Sequence, residues 1–114
     1  MPQPIRFAST GEIQVPALVP VKEPLGLPVA AASSTKIETE DGLLAGVWVC
    51  TPGRWRRHVM SREFCHFIEG HGFFTPDGGE TIELRAGDAA LFPADCCGTW
   101  DVRETLRKSF VVIR

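Results

Sequence analysis

The chain has 114 residues, 44% of them hydrophobic and 23% charged, with a formal net charge of −2. That is the size and balance of one globular domain with its own core. The charge excludes the basic footprint expected of a nucleic-acid binder. No run approaches the roughly 18 apolar residues that a membrane-spanning helix requires, and residues 1–7 lack the charged and apolar blocks of a secretory signal. The expected setting is therefore the cytoplasm, with no membrane and no nucleic acid as partners.

Residues 1–34 hold six of the nine prolines. Proline lacks a ladder donor, so this stretch reads as an extended, Pro-rich N-terminal arm. Ile5, Phe7, Ile13, Val15, Leu18 and Val19 make it too apolar to float free. It is expected to lie across its own subunit or a partner, which makes a homodimer the expected assembly. The domain proper is expected over 35–114.

From Lys36 onward, short runs rich in β-branched and aromatic residues alternate with turn signals. Nine strands are expected. Ile37–Glu40 precedes Asp41-Gly42, and Leu43–Cys50 stops at Pro52-Gly53. Trp55–Met60, Phe64–Ile68 and Phe73–Thr75 follow, then Thr81–Leu84, Ala89–Phe92, Thr99–Arg103 and Ser109–Ile113. No amphipathic helical pattern exceeds two turns. The fold class is all-β, and the Cys…Trp…Cys spacing of an immunoglobulin sandwich is absent, which leaves a jelly-roll barrel.

Cys50, Cys65, Cys96 and Cys97 show no C-x2-C zinc spacing, and the vicinal Cys96-Cys97 pair suits no ordinary disulfide. They read as reduced thiols, mostly buried. Arg54, Arg56 and Arg57 read as a solvated strand face or an anion site.

Glu63 is the main polar residue of the centre. In an apolar barrel it is either a structural carboxylate or a general acid/base or ligand anchor. Either role requires a cationic partner, for which Lys108 and Arg57 are the candidates. Cys65 shares the face of Glu63 by strand alternation, whereas His66 faces the other way. His71, between two glycines, reads as a turn residue. His58 is placed at a pocket mouth. Trp48, Trp55, Trp100, Phe67, Phe92 and Phe110 read as core, with Trp100 and Trp48 as candidate ligand contacts. Asp88 is expected to cap the Gly87-Asp88 turn.

The stretch from Pro52-Gly53 to Glu63, with Gly70, Gly87-Asp88, Pro93, Gly98-Thr99-Trp100 and Arg107-Lys108, resembles the cupins. Within them it is similar to the small single-domain group of ureidoglycine aminohydrolase and ethanolamine-utilisation cupin domains. The resemblance runs from about Leu43 to Ile113 and implies a double-stranded β-helix.

The cupin pattern is G-x5-H-x-H-x3,4-E-x6-G followed by G-x5-P-x-G-x2-H-x3-N, whose histidines and Glu hold a divalent metal. Carried over, Glu63, Gly70, Gly87 and Pro93 match. The first two histidines fall on Arg57 and Val59, or on Arg56 and His58. The later Gly, His and Asn become Asp95, Gly98 and Val102. Only His58 and Glu63 remain as metal ligands, with Cys65 as a conceivable third, so a divalent metal is disfavoured. Two functions follow. One is a cupin binding a small polar or anionic ligand inside the barrel, with Arg57, Cys65, Trp100 and Trp48 as contacts. The other is an aminohydrolase-like enzyme acting on a small ureide or amine, with Glu63 and Lys108 catalytic and with or without a metal.

Overall fold

The short-strand grammar of the sequence produces an all-β chain, described here over residues 2–113 of a computed structural model. There are eight strands: β1 (Val19–Pro20), β2 (Ala31–Glu38), β3 (Leu43–Cys50), β4 (Gly53–Arg57), β5 (Arg62–Pro76), β6 (Ile82–Arg85), β7 (Ala89–Phe92) and β8 (Gly98–Ile113). All pairings are antiparallel. No helix among the described residues is long and apolar enough to cross a membrane.

Eight strands stand where nine are expected: two pairs of runs are each continuous, which leaves seven, and β1 in the leader adds the eighth. Phe64–Ile68 and Phe73–Thr75 belong to β5, and Thr99–Arg103 and Ser109–Ile113 belong to β8. Gly70 and Gly72 read as punctuation, yet both sit inside β5, where its register with β8 shifts around Glu69 and His71. At Gly70 the backbone has φ +98°, and a Cβ there would run into the Thr105 carbonyl of β8. Glycine therefore permits a close crossing instead of ending the strand. His71 accordingly lies in β5 rather than in a turn, with Nε2 2.8 Å from the Glu83 carboxylate.

The long strands β5 and β8 pair along most of their length and collect the others. On its free side β8 binds β4 through residues 98–102 and β3 through residues 106–113. β5 binds β7 near its start and β6 near its end. This division bends the sheet into a barrel whose interior takes every second side chain. Glu63, Cys65 and Phe67 enter from β5, and Trp100, Val102, Leu106 and Lys108 enter from β8. Rings fill much of the core: Trp100 lies 5.2 Å from Phe74 and 6.2 Å from both Phe67 and Phe92, centroid to centroid.

The leader lies across its own barrel. Arg107 Nη1 donates to the Ile13 and Thr10 carbonyls at 2.8 and 3.2 Å. β1 pairs with the start of β2, and residues 23–25 run beside β4 through Leu25 N to Arg54 O and Arg56 N to Glu23 O. Gly53, at φ +149°, allows this approach, since a Cβ would meet Pro28 O at 2.6 Å. β2 begins at Ala31 and crosses the boundary expected between residues 34 and 35.

Candidate functional site

A cavity of about 240 Å³ opens from the barrel interior, lined by Trp48, Trp55, Arg57, His58, Val59, Glu63, Trp100, Lys108 and Phe110. At its base Glu63 is held from both sides. Arg57 Nη2 donates to Oε1 at 2.9 Å and Lys108 Nζ to Oε2 at 2.6 Å. All three residues are about 95% buried. The sequence offered Arg57 or Lys108 as the partner of Glu63; the structure uses both.

The cluster follows from register. Arg57 is the last residue of β4, and Lys108 of β8 is opposite both Trp48 of β3 and Phe67 of β5. Strand alternation alone sends Glu63 inward from β5. The Lys108 ammonium is surrounded by rings, with centroids at 4.6 Å for Trp48, 5.6 Å for Phe92 and 5.9 Å for Phe67 and Trp100. The Arg57 guanidinium stacks on Phe92 at 4.1 Å. Burial lowers the Arg57 pKa from its ordinary value, against the pull of Glu63. Its Nη1 is buried with no acceptor. Two cations and one carboxylate leave this base with one net positive charge.

Arg57 and Val59, the first of the two possible histidine registers, both line the cavity. Of the other register, only His58 reaches the cavity. Arg56 makes a paired contact with Asp77 at 2.7 Å through both terminal nitrogens. His58 lines the mouth, is half exposed, and turns to Glu23 of the leader at 2.6 Å. The basic run thus divides, with Arg54 in solvent, Arg56 on a surface carboxylate and Arg57 in the core.

Trp48 and Trp100 line the cavity as expected, but Cys65 does not. It faces inward on the same side as Glu63, yet lies deeper, fully buried, with Sγ directed at the Ala90 carbonyl of β7 at 3.7 Å. Trp55 and Phe110, for which core is preferred over pocket lining in the sequence, are wall residues; parity with Arg57 and Lys108 was the available signal. His66 is exposed, and Asp88 caps its turn by accepting from Arg85 N at 2.8 Å.

Burial pushes the Cys50 thiol from 9.0 up to about 12, with the Trp55 indole and Lys108 pulling weakly the other way. The Trp55 Nε1 is close enough to affect that sulfur but reaches no acceptor at hydrogen-bond distance. Between those pH values the folded chain keeps a proton that the unfolded chain releases. The stabilisation is therefore complete below pH 9 and is lost as pH rises towards 12. Three units correspond to on the order of 4 kcal/mol. Denaturant unfolding at pH 8 and 10.5 is expected to show a loss of about 2 kcal/mol that shrinks in Cys50→Ala. An unchanged loss in that variant would assign the effect elsewhere.

The fold and this inward polar centre define a cupin barrel. The sequence pattern of the EutQ-like cupin domain matches residues 38–110, and the chain belongs to that family. No curated protein sequence matches it. Among solved structures it is similar to an ethanolamine utilization protein of Salmonella typhimurium LT2, with 20% identity and TM-score 0.63, covering 72% of this chain and 68% of that one. A Pseudomonas syringae pv. tomato protein of unknown function is 21% identical with TM-score 0.72 over 88% of this chain; the match spans 43% of that longer chain. Ectoine synthase from P. lautus is 18% identical with TM-score 0.62, over 71% of this chain and 62% of that one. At these identities the likeness is one of fold, and the fold serves unlike activities.

The divalent metal of the cupin pattern does not fit these residues. Both oxygens of Glu63 are held by fixed cations, and His58 is directed at Glu23. Among the described residues no three His, Cys, Asp or Glu side chains group to hold a metal ion. The unpartnered Nη1 of Arg57 is a donor, which a metal cation cannot satisfy. Gly98, at the position of the later histidine, has no room for a side chain. A Cβ there would meet Phe74 Cζ at 2.6 Å and also the Thr75 carbonyl. Asp95, at the position of the motif glycine, keeps a left-handed backbone at φ +58°, a conformation Asp tolerates. The turn survives while the ligand set is replaced.

Proposed function

We propose that this cupin binds a small anionic molecule in the barrel cavity without a metal ion. The observation that carries the reading is the buried Arg57–Glu63–Lys108 cluster, which lines the cavity with a formal net positive charge. Stability alone is a weak reason for such a cluster, because well-packed apolar residues replace buried ion networks at little or no cost. A lysine ammonium against Glu63 supplies fixed positive charge where the family pattern would place a metal. The aminohydrolase-like reading is the weaker one. Among the described residues Glu63 is the one carboxylate lining the cavity, and each of its oxygens already accepts from a buried cation.

In chelator-treated protein, small carboxylates are expected to raise the melting temperature, and Lys108→Met to abolish the response. A response that appears only after a divalent metal is restored would overturn the proposal. Cytoplasmic residence and a homodimer complete the reading. The dimer is motivated by Phe64 and Leu91, paired neighbours on the outer face that are 46% and 68% exposed. A single sedimenting species of monomer mass at micromolar concentration would remove it.

A further inference from the structure

The cavity specifies the charge and the body of its ligand, an inference that rests on the anion-binding reading above. An aromatic cage is the usual receptor for an ammonium or quaternary ammonium ligand. Here four rings, those of Trp48, Phe67, Phe92 and Trp100, already surround an ammonium, and it is the chain's own Lys108. A cationic ligand would have to share that space with Lys108 and Arg57, and like charges in a buried site repel strongly. Glu63 offers it little relief, since its one negative charge is already shared by two cations.

A monoanion instead neutralises the single surplus charge of the Arg57–Glu63–Lys108 cluster. A dianion would leave the buried base negative. The remaining wall is made by Trp48, Trp55, Val59, Trp100 and Phe110, with His58 turned to Glu23. Hydroxyls placed against the rings and Val59 would go unpaired, at a cost that disfavours sugars and polyols. The volume of about 240 Å³ lies below that of pockets for drug-sized molecules and suits a compact body.

We infer that the ligand is a compact monocarboxylate with a flat apolar body, held by Arg57 and Lys108 at the carboxylate and by the tryptophans along its length. Amines, zwitterionic amino acids and polyols are excluded by the same groups.

Three tryptophans line the cavity, so their fluorescence reports occupancy. The test titrates the unaltered protein with benzoate, benzamide, benzylammonium and acetate at neutral pH. Benzoate is expected to saturate, with benzamide and benzylammonium at least about tenfold weaker for lack of the anion, and acetate similarly weaker for lack of the ring. Benzamide or benzylammonium within about threefold of benzoate would overturn the charge assignment and leave a binding pocket standing. Acetate equal to benzoate would overturn the flat body and leave the anion site standing. Silence towards all four and towards other small anions would overturn the pocket itself. Lys108→Met adds a readout of the cage: benzoate is expected to weaken and benzylammonium to gain affinity as the cage loses its own cation. Benzylammonium binding that stays unchanged in a folded Lys108→Met protein would overturn the cage argument. The four-ligand comparison decides the charge and body even where that variant does not fold.

Discussion

Glu63→Gln is expected to destabilise the protein by about 3–5 kcal/mol, because it strips the neutralising charge from two buried cations in one step. In a domain of this size that lowers the melting temperature by more than about 10 °C. The loss is not additive with its neighbours. Glu63→Gln combined with Lys108→Met is expected to be less damaging than the single change, since one stranded cation leaves with the carboxylate. Added benzoate or acetate is expected to restore more stability to Glu63→Gln than to the parent, by returning an anion to the gap. A Glu63→Gln protein within about 1 kcal/mol of the parent would mean that the three charges do not act as a unit.

Gly98→Ala carries the second large effect. The added methyl points at the Phe74 ring edge and at the backbone of Thr75 and Pro76, to which β8 is paired. Backbone cannot move aside as a flexible side chain does, so the cost is expected to reach about 3 kcal/mol. Gly98→His is expected to be worse and to bring no metal. Thermal unfolding of both variants, with elemental analysis of Gly98→His, checks this. A stable Gly98→His protein with near-stoichiometric zinc or manganese would show that the position remains available to a ligand.

Much of the barrel was legible in the sequence because its cues are local. Glycine and proline mark the end of β3 and the start of β4, although β4 stops at Arg57 and not at the expected Met60, and alternation along 63–67 sorts Glu63 and Cys65 inward from His66 outward. The need of a buried carboxylate for a cation named Arg57 and Lys108 before any register was known. What was not legible depends on where distant strands meet. That Glu63 takes both cations follows from β4 and β5 each packing on β8, with Lys108 45 residues away from Glu63. Gly70 and Gly72 were mistaken for breaks because the Thr105 crossing that requires glycine is invisible locally. The depth of Cys65 depends on β7, and the aim of His58 depends on a leader outside the family pattern.

The double duty of β8 bears on how the chain acquires its shape. Its residues are the hydrogen-bonding partners of β3, β4 and β5, which precede it by dozens of positions. During synthesis those three strands emerge with one edge each unmatched and must wait for it. Such non-local closure is slow relative to helix or hairpin formation and leaves strand edges open to wrong partners in the interval. The strand that contributes Trp100 and Lys108 to the cavity is thus also the one whose arrival ends that exposure. The cavity and the closed barrel come into being in the same event.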